Sequence, residues 1–306
     1  MNAVGVQSVA LMGTVVSIEV VGCATQPPLE SEREDAVARA FDWFRRVEET
    51  CSRFDEQSEL RQLSTCIGTP VPVSELLYEA VQFALAVAAE TGGAFDPTVG
   101  HRMEARGFNR NYRSRRAANT PLAPGGPATF RDVRLDPAAR TITLLRPLVL
   151  DLGAVAKGLA VDLAARELRP WENFAINAGG DLYLGGHKDQ GRPWSIGIRH
   201  PRQPQELIET VQVSDCAVCT SGDYERPSPD PAAGHHLMDP RTGAAATACA
   251  SATVLAPSAM VADVLATAAF VLGPAAGLRL LERHGVEGML VTPAVERFAT
   301  RGMRHE

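Results

Sequence analysis

Two segments far apart in the chain contain residue types that bind Mg²⁺ and phosphate. Residues 151–158 read D-L-G-A-V-A-K-G, and residues 262–267 read A-D-V-L-A-T. Together they supply two carboxylates, a lysine, a threonine hydroxyl and backbone carbonyls beside a glycine. Mg²⁺ takes hard oxygen ligands and usually shares its coordination shell with substrate phosphates. The combination is therefore typical of a magnesium-assisted reaction at a phosphate.

Each segment alone also has a simpler interpretation. Asp263 and Thr267 are four residues apart on a predicted helix and share a face, but the acid could cap a neighbouring element and the threonine could bond its own backbone. Lys157 lies in the first turn of a predicted helix, whose free N–H groups suit a phosphate. The sequence contains neither the G-x-x-x-x-G-K-[ST] pattern of a P-loop nor the G-x-G-x-x-G pattern of a dinucleotide site, so neither class is supported.

Residues 235–243 place two histidines, His235 and His236, beside an Asp-Pro turn. Histidine is the usual general base for a hydroxyl at neutral pH, and it could act here without a large pKa shift. Zinc binding is the rival interpretation, but no H-E-x-x-H pattern or cysteine set accompanies the pair. Two further segments are candidates: Asp96 follows a predicted helix, and residues 177–181, N-A-G-G-D, form either a tight turn or a close approach to a ligand.

The elements that must position these residues form an α+β pattern. Helices are predicted at about 30–50, 74–91, 154–168, 257–272 and 275–284, with a short helix after Ser58. Strands are predicted at 11–21, 148–151, 174–177, 182–184, 194–198, 207–213, 217–220, 251–255 and 288–291, with a hairpin turning near Asp136. Strands outnumber helices and do not alternate with them regularly, which favours α+β over a doubly wound sheet.

Composition restricts the class of partner. The chain has 306 residues, 45% hydrophobic and 22% charged, with a formal net charge of -6. A nucleic-acid-binding protein needs a basic surface, so we expect no nucleic-acid partner. The exception is an arginine run between residues 102 and 116, which we interpret as an exposed loop, with contact to a phosphate or a partner as the alternative. It belongs to a segment at about 101–130 that is rich in Arg, Pro and Gly.

Two segments resemble targeting or membrane signals. Residues 20–23, V-V-G-C, resemble a lipoprotein cleavage site, but no basic residue precedes them and Glu19 interrupts the apolar stretch. We therefore expect a first strand and a cytoplasmic protein. Residues 256–273 are apolar but contain Asp263, and a charge at that depth in lipid is costly. A buried core helix is the better interpretation, and we expect no membrane insertion.

In order along the chain, the motifs resemble those of the ApbE family, the FAD:protein FMN transferases. The matching segments begin with Met12-Gly13-Thr14 and continue as S-R-F-D-E-Q-S-E-L, G-G-A-F-D-P-T-V, D-L-G-A-V-A-K-G, N-A-G-G-D, T-S-G-D-Y, H-x-M-D-P-R-T-G and A-D-V-L-A-T. The match extends over about residues 11–291. The resemblance implies one ApbE-type α+β domain with mixed or antiparallel sheets, packed helices and two closely associated subdomains.

The resemblance also implies the reaction and the roles of individual residues. The FMN half of FAD would be transferred to a Thr or Ser hydroxyl in an exposed segment of an acceptor protein, with Mg²⁺ as cofactor and AMP as the second product. The implied catalytic residues are His236, as general base, and Lys157, near the pyrophosphate. Mg²⁺ would be bound by Ala154 (through its carbonyl), Asp263 and Thr267. FAD would contact Met12, Phe54, Ala94, Phe95, Asp96, Asp151 and Leu237.

The sequence departs from the family pattern at Phe54, where many relatives have Tyr, and at His101 and the arginine-rich segment that follows it. None of these positions is an implied metal ligand or base. Two alternatives remain: a metal-dependent FAD pyrophosphatase, which would use the same ligands with water in place of the protein hydroxyl, and a flavin carrier that leaves FAD intact. A carrier would need neither His236 nor the metal ligands, which argues against it.

Overall fold

Thirteen strands are present in the part of the chain that the computed structural model describes, namely residues 5–21, 30–112, 116–118, 120, 127–188, 191–228 and 234–303. They are β1 (Gly5–Leu11), β2 (Thr14–Val20), β3 (Val71–Pro72), β4 (Val133–Asp136), β5 (Thr141–Leu144), β6 (Phe174–Ala178), β7 (Asp181–Gly185), β8 (Trp194–Arg199), β9 (Leu207–Val213), β10 (Cys216–Gly222), β11 (Ser251–Ala256), β12 (Glu287–Val291) and β13 (Arg297–Ala299).

Eight of these strands form one sheet in the order β1-β2-β6-β7-β10-β11-β12-β13, and each neighbouring pair is antiparallel. Strands β3-β5-β4 and β8-β9 form two smaller sheets. Two tight turns in the large sheet carry site residues. Met12 and Gly13 join β1 to β2, and Gly179 and Gly180 join β6 to β7, all four with positive φ. Two-residue hairpin turns of this kind match the natural twist of the strands.

Seven α-helices lie in the described residues: α1 (Glu30–Cys51), α2 (Glu59–Leu63), α3 (Glu75–Glu90), α4 (Gly100–Ala105), α5 (Gly153–Leu168), α6 (Ala259–Leu272) and α7 (Pro274–Arg283). Serine side chains cap the N-termini of three of them: Ser58 accepts from Arg61 N, Ser74 from Leu77 N and Ser258 from Val261 N. Such caps satisfy backbone N–H groups that have no partner within the helix.

The helices and the small β8-β9 sheet cover opposite faces of the large sheet. Helices α5, α6 and α7 pack on one face, and α1 packs against α5. On the other face, Trp194 and Val213 of the β8-β9 sheet pack with Leu184 and Val218, while Ile198 and Ile208 pack with residues of β12. Apolar burial on both faces therefore keeps the central strands and helix α6 in fixed positions.

The architecture is the predicted α+β fold, and most predicted elements occur within one or two residues of their expected bounds. Two strand predictions are wrong. The segment at 11–21 begins with a turn at Met12-Gly13, because a second strand, β1, pairs with β2. Residues 148–150 are buried coil rather than a strand: their backbone bonds go to the loop at 97–100, through Gly100 N to Val149 O and Asp151 N to Pro97 O.

Candidate active site

One cavity of about 750 Å³ brings together the candidate residues from distant parts of the sequence. Its wall is formed by the β1-β2 turn, the loop after α1, the segments around α4, the start of α5, the end of β10, the loop that contains His235 and His236, and one face of α6. All twelve predicted site residues line this cavity: Met12, Phe54, Ala94, Phe95, Asp96, Asp151, Ala154, Lys157, His236, Leu237, Asp263 and Thr267.

The acidic end of the cavity is formed by α5 and α6. Lys157 Nζ lies 3.0 Å from Asp263 Oδ2 and also forms an ion pair with Asp181. Burial raises the pKa of Asp263, and the positive charge of Lys157 acts in the opposite direction. Thr267, one turn further along α6, shares a hydrogen bond of 3.0 Å with Ser221. A buried carboxylate and a hydroxyl therefore face the same space.

Asp151 joins the start of α5 to the loop after α1. Its Oδ1 accepts from Gly153 N at 2.8 Å, and its Oδ2 accepts from Arg53 Nε at 2.8 Å. Arg53 is buried and also donates to the Phe108 carbonyl at 2.5 Å. Burial acts to raise the pKa of Asp151, but the charge of Arg53 and these hydrogen bonds outweigh it, so the pKa lies below its usual range. Asp151 is thus an ionised anchor.

The apolar end of the cavity has aromatic walls. Phe95 is buried and Phe54 is half-buried, with the Arg53 guanidinium 4.0 Å from the centre of the Phe54 ring. Met12 has a φ of 51°, which is uncommon for a residue with a side chain; the tight turn presents it to the cavity. These surfaces suit a flat aromatic ring system.

Asp96 lines the cavity, but its carboxylate is already engaged within the protein. It accepts from Thr98 N at 2.9 Å, from Thr98 Oγ1 at 2.7 Å and from Phe130 N at 3.0 Å. Its main visible effect is to fix the loop that presents Ala94 and Phe95.

The two adjacent histidines, His235 and His236, differ in the hydrogen-bond partners of their ring nitrogens. His235 Nε2 lies 3.0 Å from the Ala246 carbonyl, and its Nδ1 accepts from Leu237 N at 3.2 Å. His236 lines the cavity against the edge of Phe108, and its buried Nδ1 has no hydrogen-bond partner among the described residues. Of the two residues, His236 is therefore the one that lines the cavity with a ring nitrogen not engaged by the protein.

Burial, with the charges of Arg226 and His235 as smaller causes, lowers the pKa of His236 to about 3. The sequence suggested that His236 could act as a base without a large pKa shift, whereas burial shifts its pKa far downwards in the free protein. Its ring is neutral at pH 7, which is the form that accepts a proton.

Helices α5 and α6 pack closely against each other, and this contact determines the positions of the residues at the acidic end of the cavity. Asp162 of α5 accepts from Ser258 Oγ, Ala259 N and Met260 N at 2.6–3.0 Å, so it caps α6. Gly158 makes the close approach possible, because a Cβ at this position would lie 2.5 Å from the Ala259 carbonyl oxygen. The spacing between Ala154 and the α6 pair Asp263 and Thr267 follows from this contact.

Several residues that shape the site were not predicted. Arg53, Phe108, Asp162, Asp181 and Arg226 each contact or position a predicted residue. Only Arg53 and Asp181 had a local signal, since they lie inside the S-R-F-D and N-A-G-G-D motifs. Of the two interpretations of the second motif, the tight turn is present, and Gly179 also lines the cavity.

The arginine run is only partly an exposed loop. Arg110 and Arg116 are exposed, and Arg113 and Arg115 lie outside the described residues. Arg102 and Arg106, in contrast, are half-buried and donate to backbone carbonyls of the loop that contains His236. For these two residues the loop interpretation is wrong, because α4 and the residue that directly follows it direct both guanidinium groups towards that loop. Separately, no α-helix within the described ranges has the length and apolar character needed to cross a bilayer.

Comparison with known proteins gives a consistent family match. The sequence model of the ApbE family matches residues 12–290. The FAD:protein FMN transferase of Treponema pallidum is 33% identical over 297 residues, which cover 89% of this chain and 81% of that protein. The enzyme of the same name from Vibrio cholerae is 29% identical, with 94% and 87% covered.

Solved structures agree with the sequence matches. The crystal structure of the ApbE protein from Thermotoga maritima superposes with a TM-score of 0.84 at 29% identity and covers 99% of this chain and 100% of that one. The flavin transferase ApbE from Vibrio cholerae superposes with a TM-score of 0.82 at 26% identity, with 98% and 97% covered.

Proposed function

Because the chain belongs to the ApbE family, we propose that it transfers the FMN part of FAD to a Thr or Ser hydroxyl of an acceptor protein. The observation that carries the proposal is the single cavity with a buried carboxylate and a hydroxyl at one end, aromatic walls at the other and an available histidine beside them. FAD has matching parts: a charged pyrophosphate and a flat isoalloxazine ring.

The acidic end fits Mg²⁺. Asp263 offers a carboxylate, Thr267 a hydroxyl and Ala154 a backbone carbonyl, which are the hard oxygen donors that Mg²⁺ prefers. The described residues contain no cluster of three or more His, Cys, Asp or Glu that could bind a metal, so the carbonyl and the hydroxyl are needed to complete the set. When bound, Mg²⁺ offsets the negative charge of the pyrophosphate and so favours attack at phosphorus.

Lys157 belongs to the same end of the cavity. It is held between Asp181 and Asp263, and its charge balances these carboxylates in the free protein. We propose that Lys157 places its positive charge beside the pyrophosphate of FAD, while Asp263 would hold the metal. Asp151, ionised and held by Arg53, orients the start of α5 towards the ligand.

In the proposed step, the acceptor hydroxyl oxygen attacks the phosphorus of the FMN half. A new phosphoester bond forms, and the bond from that phosphorus to the bridging oxygen breaks, so that AMP leaves with the bridging oxygen. His236 accepts the hydroxyl proton. A threonine hydroxyl is a weak nucleophile until a base removes its proton. The negative charge of the bound pyrophosphate raises the proton affinity of the nearby imidazole, which opposes the effect of burial.

The proposal also covers the domain organisation, the cellular location and the class of partner. The chain functions as one ApbE-type domain in the cytoplasm, its acceptor presents the hydroxyl in an exposed segment, and neither nucleic acid nor membrane insertion takes part.

The test is transfer of flavin fluorescence to an acceptor domain typical of the family, observed in a denaturing gel. The protein with FAD and Mg²⁺ should label the acceptor, and EDTA should abolish labelling. His236→Ala should lower the rate by about 10²–10⁴-fold, the usual contribution of a general base, and Asp263→Ala should abolish metal-dependent labelling. His187→Ala, on the exposed surface, is the control. Wild-type labelling by a folded His236→Ala or Asp263→Ala variant would contradict the assigned role.

A further inference from the structure

The loop that contains His236 is held in place by two arginines from helix α4 and its C-terminal end. Arg106 Nη1 donates to the Gly243 carbonyl at 3.0 Å, and Arg106 Nη2 lies 3.3 Å from the His235 carbonyl. Arg102 Nη1 donates to the Pro240 carbonyl of the same loop. One guanidinium group therefore connects the two ends of the segment 235–243, and a second holds its middle.

The same loop is also held by its other neighbours: the His235 ring lies 3.0 Å from the Ala246 carbonyl and packs edge-on against Phe270, and Leu237 is buried in the core. His236 N donates to the Arg226 carbonyl at 3.1 Å, and Ser228 N donates to the Gly234 carbonyl at 2.7 Å, so residues 226–228 pair with 234–236. Ser228 Oγ in turn donates to the carbonyl of Arg106 at 3.1 Å. Arg106 thus contacts both the loop and the segment that pairs with it.

The ring of His236 depends on this backbone for its position. No hydrogen bond within the described residues fixes its Nδ1, and its ring contact is with the edge of Phe108, with centroids 6.4 Å apart. Histidines that act as bases are usually oriented by a hydrogen bond from the second ring nitrogen. Here the position of the ring is set by where the backbone of residues 235–237 is held.

We propose that Arg106, assisted by Arg102, is a positioning residue that holds the His236 loop against the cavity. This inference rests on the proposed function, because it assigns Arg106 an effect on a proton transfer through His236. Arginine suits the task, since its planar group carries several donors in a rigid fork and reaches two carbonyls at once. A lysine would have one nitrogen to share between His235 and Gly243. Both arginines lie in the segment where the sequence departs from the family pattern.

The experiment compares Arg106→Ala and Arg106→Lys with the wild type in two independent measurements. Steady-state transfer to the acceptor should show kcat about 10²-fold lower for Arg106→Ala, the loss expected when a reacting group is displaced by about an ångström. The KM for FAD should change far less. Arg106→Lys, which keeps the charge and one donor, should fall between the wild type and Arg106→Ala. The control is Arg39→Gln, which removes a surface pair with Glu167.

Hydrogen exchange of the peptides that cover 234–246, measured by mass spectrometry without substrate, reports on the loop itself. Exchange in Arg106→Ala should be roughly tenfold faster than in the wild type, as expected for the loss of two hydrogen bonds. Exchange in α5 and α6 should not change, which separates loosening of the loop from general destabilisation.

Transfer should also be compared in a His236→Ala background. A residue that acts through His236 should cause no further loss there. An unchanged kcat in Arg106→Ala, unchanged loop exchange, or an equal loss with and without His236 would each overturn the proposal. If the wild type itself labels no acceptor, the proposed function fails, while the exchange measurement still decides whether Arg106 holds the loop.

Discussion

His235 and His236 are neighbours in the sequence, but the structure gives them different environments. Both nitrogens of His235 are within hydrogen-bonding distance of backbone groups, whereas His236 lines the cavity and its buried Nδ1 has no hydrogen-bond partner among the described residues. His235 thus stabilises the loop through its hydrogen bonds, and the ring of His236 remains free to interact with a ligand. The adjacent pair in the sequence indicated a candidate base, and only the hydrogen bonds distinguish which of the two it is.

The low pKa of His236 predicts a specific pH dependence of stability. The unfolded histidine titrates near 6.5, whereas in the folded chain burial lowers the pKa to about 3. Between these values the unfolded state binds more protons, so the free energy of unfolding falls as the pH falls. Urea unfolding at pH 6.5 and pH 5 should show that the wild type loses about 1–2 kcal/mol more than His236→Gln. Equal losses would mean that His236 is not buried as a neutral ring.

Residue types and spacing predicted the groups that line the cavity but not the residues that hold them. Asp263, Thr267 and Lys157 belong to short motifs that are visible in the sequence. Their supports are distant: Asp162 caps a helix almost a hundred residues further along the chain, and Arg106 reaches carbonyls at 235 and 243. Long-range contacts of this kind have no local pattern, so they could not be predicted from one sequence.

At the level of elements, the packing of α5 against α6 sets the geometry of the acidic end. Ala154 and Lys157 come from α5, and Asp263 and Thr267 come from α6. Gly158 and Asp162 keep the two helices close, the first by having no side chain and the second by capping α6. The glycine in D-L-G-A-V-A-K-G that ends the motif is thus required for helix packing.

Gly158→Ala should separate the two helices. The added Cβ would lie 2.5 Å from the backbone of Ala259 and Met260, which cannot move without shifting α6. Forcing atoms into a packed interface usually costs about 1–3 kcal/mol, and we expect a lower Tm together with a higher Mg²⁺ concentration for half-maximal transfer.

The control for this variant is Gly5→Ala, whose Cβ would lie 3.7 Å from Arg33 and within 4 Å of no other side chain in the part of the chain that the structure describes. It should leave both values unchanged. A Gly158→Ala protein with the wild-type metal dependence would contradict the role given to the contact between α5 and α6.

Elements with a strong periodic pattern were predicted well, and those whose form depends on a distant partner were not. Helices α1, α3, α5 and α6 have apolar residues at helical spacing or clear caps, and they occur where expected. Strand β1 was missed because its residues are mostly exposed and gain their form by pairing with β2. Residues 148–150 are as apolar as a buried strand, but they bond to the loop at 97–100.

At the scale of the whole molecule, the antiparallel sheet and its helices hold together parts of the sequence that are far apart. The β1-β2 turn, the loop after α1, the start of α5, the end of β10 and one face of α6 meet at one cavity. The order of motifs along the chain predicted the family and the fold class. The convergence of these motifs on one cavity required the structure, because the strands of the large sheet follow one another in sequence order but are separated by helices and by strands of the two smaller sheets.

We propose that this cavity couples cleavage of FAD to the formation of a bond to a protein. The most direct test is the ratio of AMP released to FMN attached to the acceptor, with AMP measured by chromatography and the acceptor by its intact mass. Obligatory transfer predicts one AMP for each FMN-acceptor and no free FMN. AMP released with an equal amount of free FMN and an unmodified acceptor would contradict this coupling and identify a pyrophosphatase, and intact FAD would indicate a carrier.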